Sequence, residues 1–337
     1  MQNPESKNCD LLQDKVKTLI SSRVSLAPMA GITDFVLRSI VREYSPTCLL
    51  TTEMISSEAL TQVKDTDIVA RAENHSPISY QLSGHKPEMI ADCAVYLQKY
   101  ADMVDINMGC PVNKVVKGTD GAALMRNPDL AQNIVRTVKS KIQIPLSVKF
   151  RLGYTADEMN YVEYGQKMQE AGADFITIHA RTRAQMYGGK ADWKKIAELK
   201  RNVDIPVFAN GDVVSIETAE QCLEESNADG VAVGRGVLGD PSLLYRIERY
   251  INKGEYLPSP SLEDKINGIK ELLTRETEFR GELVGIKFTR KFYPYYVNGF
   301  SGASKYRGAL VTLDNKKEIF SLLDRIILEH SNSNMIK

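Results

Sequence analysis

The chain has no net charge: 43 Lys and Arg residues balance 43 Asp and Glu over 337 positions. The chain-wide basic character of many nucleic-acid binders is therefore missing. Any contact with a phosphate backbone must come from a local patch. No apolar run approaches the roughly 18 residues that a membrane-spanning helix needs. The stretch Met1–Lys17 mixes both charge signs and has no apolar signal core, which argues against export. The five cysteines, Cys9, Cys48, Cys93, Cys110 and Cys222, are scattered, odd in number and never spaced Cys-x-x-Cys. That pattern supports neither a disulfide framework nor a metal site, and no metal is expected. A reducing cytoplasm fits best. Low-complexity tracts are absent, and so is the Gly-x-Gly-x-x-Gly turn of an open dinucleotide-binding sheet. After the first strand the chain instead reads Pro28-Met29-Ala30-Gly31-Ile32.

What is present is an alternation of short apolar runs with longer helical patterns. Eight runs read as strands: Val24–Pro28, Leu49–Thr52, Ile78–Leu82, Met103–Asn107, Pro145–Phe150, Phe175–His179, Pro206–Ala209 and Gly230–Val233. Most are continuously apolar, as strands buried on both faces should be. Thr33 or Asp34 can cap a helix running to Tyr44. Pro87 and Pro128 suit the first turns of helices to Tyr100 and Lys141. Asn160–Ala171 stops at Gly172, and Trp193–Arg201 and Ser215–Ser226 follow. The interval Met54–His75 is long and less regular. This α/β alternation predicts a parallel sheet closed as a (β/α)8 TIM barrel. After Gly254, Pro258-Ser259-Pro260 reads as a linker and Ser261 as a helix start. Ile266, Ile269, Leu272 and Leu273 share one helix face; Ile319, Leu322, Leu323, Ile326 and Ile327 share another. The expected organisation is an N-terminal extension over 1–20, a barrel over 21–255 and a small all-helical domain over 256–337.

A barrel of this kind carries its active site at the C-terminal ends of the strands. Polar and glycine residues collect there: Gln81, Asn107-Met108-Gly109-Cys110-Pro111, Lys149-Phe150-Arg151, His179-Ala180-Arg181-Thr182-Arg183, Asn210-Gly211-Asp212 and Gly234-Arg235-Gly236. The last two groups follow strands seven and eight, where such barrels hold phosphate, and Arg235 adds charge to the glycine loops. Lys149 is a cation on an apolar strand. It reads either as a partner for an anionic cofactor or as a snorkelling, ion-paired lysine. Gln81 can serve a ring edge or the barrel backbone, and His179 reads as a structural group or a ligand. Cys110 stands apart from the other cysteines. It follows a strand, sits in a Gly-Cys-Pro turn and precedes the glycine-bearing loop Lys114–Gly121, which can carry a reactive group over a cofactor. Its residues alone leave open whether it acts as thiolate nucleophile or thiol acid.

Taken together these residues resemble the bacterial tRNA-dihydrouridine synthases, most closely the DusB branch. The resemblance rests on Ala27-Pro28-Met29-Ala30-Gly31, Thr52-Glu53-Met54, Gln81-Leu82, Asp105-Ile106-Asn107-Met108-Gly109-Cys110-Pro111, Val148-Lys149-Phe150-Arg151 and the later strand ends. It spans Val24 into the C-terminal helices, with Ala180 in place of the family's glycine after His179. It implies an FMN-binding barrel re-reduced by NADPH. Pro28, Met29 and Ala30 would lie along the isoalloxazine, and Gln81 and Lys149 at its polar edge. His179 would join the cofactor site, and Asn210, Gly211, Asp212, Gly234 and Arg235 would hold the phosphate end. Hydride would pass to C6 of a flipped D-loop uridine of tRNA, and Cys110 would protonate C5. Asn107 and the segment Arg181–Tyr187, Arg181 and Arg183 in particular, would face the target base.

A local tRNA surface is expected in Ile286–Arg307, which has five basic residues (Lys287, Arg290, Lys291, Lys305 and Arg307), no acidic residue and seven aromatics. Lys287, Arg290 and Lys291 read as RNA contacts, and the phenylalanines as core. A monomer is the expected state. The competing readings are an FMN-dependent oxidoreductase of free pyrimidine or dihydroorotate type, and an RNA-binding protein without catalysis. The basic helical segment argues against the first. The presence of Cys110, Lys149 and Arg235 argues against the second.

Overall fold

The eight apolar runs form eight parallel strands: β1 Val24–Leu26, β2 Leu49–Thr51, β3 Ile78–Ser83, β4 Met103–Met108, β5 Leu146–Arg151, β6 Phe175–His179, β7 Val207–Asn210 and β8 Gly230–Val233. Each pairs with its neighbours in sequence, and β8 returns to pair with β1, so the ring is closed. The protein is described here by a computed structural model, which covers residues 4–62, 75–112, 115–116 and 119–330. The interval Met54–His75 holds a two-residue strand, Ile55–Ser56, beside the end of β3, and the helix Ser57–Gln62. Its remainder, 63–74, lies outside the described residues.

Strand alternation sorts the side chains. Val104, Ile106, Met108, Val148, Phe150, Ile176 and Ile178 point outward and are buried against the surrounding helices. The helix starts follow local chemistry. Asp34 accepts from the Leu37 N–H at 3.0 Å, Asn127 from Leu130 at 3.2 Å, and Ser215 from Thr218 at 3.2 Å. Ser215 and Ser261 both form reciprocal capping boxes. The helix opened by Pro87 runs only to Leu97, short of the expected Tyr100. There the Tyr100 and Ala101 N–H groups both turn back to the Leu97 carbonyl, at 2.8 and 3.0 Å, and end it.

The N-terminal extension contains a helix, Pro4–Leu19, that the sequence reading does not assign. Val16, Leu19 and Ile20 pack with Leu49, Met103, Phe175 and Phe208, inward residues near the N-terminal ends of the strands, and with Ala232 on β8. They close the bottom of the barrel. Beyond the barrel follow helices Leu262–Arg280, Glu282–Thr289, Tyr293–Tyr296, Ala303–Leu310 and Lys316–His330. Ile266, Ile269, Leu272, Leu273, Ile319, Leu323 and Ile326 are buried, with Leu322 and Ile327 partly so. Two arginines tie this segment to the first barrel helix: Arg275 to Glu43 at 2.7 Å and Arg280 to Asp34 at 2.5 Å. No helix among the described residues is long and apolar enough to cross a membrane.

Candidate active site

The C-terminal ends of the strands surround a cavity of about 420 Å³. Its wall includes Pro28, Met29 and Ala30 after β1, Gln81 on β3, Asn107 and Cys110 from β4, and Lys149 on β5. His179 follows on β6, then Asn210, Gly211 and Asp212 after β7, and Gly234 and Arg235 after β8. All eleven residues assigned to the cofactor by resemblance therefore line one space, together with Cys110 and Asn107. Arg151, Tyr187, Met54 and Tyr295 also line it. Tyr295 comes from the helical segment, and only the general aromatic content of that stretch pointed to it. No group of three His, Cys, Asp or Glu side chains among the described residues could hold a metal.

The cavity is rich in fixed positive charge. Lys149 is partly buried and donates to Asn210 Oδ1 at 3.0 Å. Loss of water, then the nearby Arg151, pull its pKa down to about 8. Burial likewise lowers Arg151, to about 10. Its guanidinium braces two loops, donating to the carbonyls of Gly109, Thr182 and Met186 at 2.8, 3.0 and 2.8 Å. His179 is held well below the ordinary imidazole value, first by burial and then by Arg151, Lys149, Arg181 and Arg235. Its ring is neutral. Arg181 Nη1 lies 3.4 Å from Nε2, and a guanidinium can only donate, so the ring proton sits on Nδ1.

The strand-end geometry of the β7 and β8 loops has local causes. Gly211 has φ +120° and Asp212 φ +58°, and a Cβ on Gly211 would come within 3.0 Å of the His179 ring. The Asp212 carboxylate lines the cavity but is committed elsewhere. It takes Arg181 at 2.7 and 2.8 Å, the Ala191 N–H at 2.8 Å and Arg235 at 3.6 Å. Gly234 leads into a short turn, Arg235–Val237, which leaves Arg235 half exposed at the rim.

Cys110 is partly buried and free. Asn107 fixes its turn by accepting from the Gly109 and Cys110 N–H groups at 3.3 and 2.9 Å. Gly121, at φ +59°, passes so close that a Cβ there would meet the Cys110 carbonyl at 2.9 Å. Of the loop Lys114–Gly121, residues 114, 117 and 118 lie outside the described residues. Cys48, Cys93 and Cys222 are buried and free, with thiol pKa values raised by burial.

The residues expected at the substrate separate. Asn107 faces the cavity. Arg181 turns inward: it is 1% exposed, and besides Asp212 it donates to the carbonyls of Gly188 and Gly189 at 3.0 and 2.7 Å. It braces a loop and is not part of the cavity wall. Arg183 lies over the Tyr154 ring at 5.2 Å. Arg290 pairs with Asp314 at 2.6 Å, and Lys291 donates to the Gly31 carbonyl while covering Phe288 at 3.1 Å. Lys287 stands exposed. A hydrogen-bonded group beneath the site, Asp105 with Ser147, is not singled out by the sequence reading. The signal was available, because Asp105 shares the inward parity of Asn107, and Ser147 that of Lys149.

Residues 25–332 match the family described as Dihydrouridine synthase (Dus). A probable tRNA-dihydrouridine synthase 1 from Synechocystis sp. is 41% identical over 310 residues, covering 91% of this chain and 87% of that protein. A probable tRNA-dihydrouridine synthase from Rickettsia bellii is 36% identical, covering 86% and 90%. The tRNA-dihydrouridine synthase B of Shewanella oneidensis is 34% identical, covering 90% and 95%. Among solved structures, an old yellow enzyme homologue from Zymomonas mobilis aligns at TM-score 0.49 with 15% identity, over 72% of this chain and 91% of that one. With the family profile spanning the barrel and the helices after it, the chain belongs to the dihydrouridine synthase family.

Proposed function

We propose that this protein is a flavin-dependent tRNA-dihydrouridine synthase that reduces the C5=C6 bond of specific uridines. It would use FMN, with NADPH as reductant and Cys110 as proton donor. The observation that carries this reading is the placement of Cys110, in the turn after β4, and the partly buried cation Lys149, on the adjacent strand β5, around one cavity.

That cavity suits a flavin mononucleotide in three respects. Pro28, Met29 and Ala30 give an apolar wall for a flat ring, Gln81 and Lys149 give a polar edge, and the Gly211, Gly234 and Arg235 loops give an anion-binding end. When bound, the flavin supplies hydride to C6 of the pyrimidine. Lys149 offsets negative charge at the ring edge, and the low-dielectric site strengthens that effect. Cys110, held by Asn107 in the turn after β4, delivers its thiol proton to C5. His179, kept neutral, adds a polar group and no further charge. Tyr295 brings the helical segment to the cavity, which supports residues 256–337 as the tRNA-docking part. The exposed Lys287 is the basic residue best placed for phosphate there. We place the enzyme in a reducing cytoplasm, as a monomer.

The test is mass mapping of tRNA after incubation with the purified protein and NADPH. A gain of two hydrogens on defined uridines is the expected result. A protein purified without yellow colour, or one that reduces free pyrimidines and leaves tRNA unchanged, overturns this reading.

A further inference from the structure

Beneath the cavity a hydrogen-bonded relay runs from the barrel interior to the Cys110 turn. Ser147 Oγ donates to Asp105 Oδ1 at 2.5 Å, and Gln81 Nε2 donates to Asp105 Oδ2 at 2.6 Å. Asn107 Nδ2 donates to Gln81 Oε1 at 2.7 Å, and Asn107 Oδ1 accepts from the N–H groups of Gly109 and Cys110. Amide side chains are reversible in principle, but this relay has two fixed ends. Burial pushes the Asp105 pKa up, while the Gln81 and Ser147 hydrogen bonds and Lys149 favour its ionised form; as a carboxylate it can only accept at one end, and a backbone N–H can only donate at the other. Reversing Gln81 would set its carbonyl against Asp105. Reversing Asn107 would set its amino group against the Cys110 N–H. One polarity survives.

The consequence lies at the cavity wall. Asn107 Oδ1 already accepts twice, and one of its two N–H bonds is committed to Gln81. What Asn107 has left for a ligand is a single N–H donor. A carbonyl oxygen meets it well. An exocyclic amine at the same point would set N–H against N–H and leave both unpaired, which is costly in a buried site. We propose that Asp105 is a positioning residue that locks Asn107 as a donor-only contact for a ligand carbonyl and holds the Cys110 turn in place. Asp105 is 4% exposed and does not line that cavity, so it acts through Gln81 and Asn107. Both the flavin ring and a uracil ring carry carbonyls. The inference rests on the flavin-dependent tRNA reduction proposed above only for which of the two is read, since cytosine bears an amine where uracil bears a carbonyl.

The test compares Asp105→Asn, which keeps an acceptor for Gln81, with Asp105→Leu, which removes it, and with the milder Ser147→Ala. Two quantities are read: the Kd of the flavin-stripped full-length chain for FMN, and kcat and KM for tRNA at saturating FMN. Asp105→Leu should lose about tenfold and Ser147→Ala about threefold, with Asp105→Asn within about twofold of the parent. A loss in the FMN Kd assigns the carbonyl to the flavin. A loss in kcat/KM at unchanged FMN Kd assigns it to the pyrimidine. If Asp105→Leu does not fold, Ser147→Ala and Asp105→Asn decide. The proposal is overturned if Asp105→Leu and Ser147→Ala match the parent in both quantities, or if Asp105→Asn loses as much as Asp105→Leu. A parent protein that binds FMN but leaves tRNA unreduced breaks only the tRNA reading, and the FMN measurements then judge the relay.

Discussion

At the N-terminal end of the barrel lumen, Leu49, Met103, Phe175 and Phe208 pack with Val16, Leu19 and Ile20, and the two phenylalanine rings meet edge to face at 4.9 Å. Two and four residues further along the same strands the inward positions are Asp105 and Asn107, Thr177 and His179, and Asn210. On β5 the lumen is polar throughout, from Ser147 through Lys149 to Arg151. One end is an apolar plug, and the other is a set of hydrogen-bonded polar groups with two cations, Arg151 buried and Lys149 partly so. The strands are the same and so is the pleat, so the difference lies in which residues occupy alternate positions. The lower half supplies burial. The upper half gives up burial to hold groups that await an anionic ligand, as active sites commonly do.

This contrast predicts that the two halves fail differently. Phe208→Ala empties the plug and should cost about 3–5 kcal/mol of stability. Urea unfolding should show a large drop in midpoint, while the fraction still folded keeps its flavin. A drop below about 1 kcal/mol would mean that the N-terminal helix collapses into the space and the plug is soft. Cys110→Ala should do the reverse. Stability should change by less than about 0.5 kcal/mol, since the thiol is only partly buried, while single-turnover reduction of tRNA falls by between about 10² and 10⁴. Full activity in that variant would remove Cys110 from its role.

Lys149 tests the cost of the upper half. Its folded pKa of about 8 lies below the ordinary lysine value of about 10.4. Below pH 8 both folded and unfolded chains carry the proton, and the folded chain bears the full burial cost. Between about pH 8 and pH 10 the folded lysine is neutral while the unfolded one still binds a proton. Stability of the flavin-free chain should therefore rise with pH across that window, by on the order of 2–3 kcal/mol. Lys149→Met should remove this rise and be the more stable protein at pH 7, yet bind FMN more weakly. Unfolding curves at pH 7, 8.5 and 9.5 with both proteins check the sign. Equal slopes for the two would show that Lys149 is already compensated by Asp105.

The eight strands are legible because burial on both faces makes most of them apolar runs, and two of them, Phe175–His179 and Gly230–Val233, match residue for residue. The cavity residues are legible because a closed barrel puts its site at known strand ends. What the sequence leaves hidden is the direction of long side chains. Asn107 lies at the end of β4 and Arg181 just beyond the end of β6, yet Arg181 turns inward to brace Asp212 and Asn107 faces the cavity. Nothing local separates them, since an arginine reaches a loop carbonyl as readily as a ligand. Arg290 and Lys291 look free in a stretch without acids, and their partners, Asp314 and the Gly31 carbonyl, come from elsewhere in the chain. The N-terminal helix escapes notice because its contribution to the plug is only Val16, Leu19 and Ile20 in a polar segment.

The smallest expected effect falls at the boundary between the halves. Thr177 lies between Phe175 and His179 on β6, and with Ser25, Ser79, Ser147, Asp105 and Lys149 it lines an internal void of about 10 Å³. That is roughly the volume one water needs, with polar groups on several sides. Thr177→Val keeps the shape and removes one hydroxyl. If the apolar half reaches this layer, the change should be worth less than about 1 kcal/mol, because a polar group replaced without leaving a charged partner stranded is close to neutral. FMN affinity should not move. A loss above about 2 kcal/mol in urea unfolding would show that the hydroxyl anchors a water between Asp105 and Lys149. The polar half would then begin one layer lower, and Lys149 would owe part of its protonation to that water.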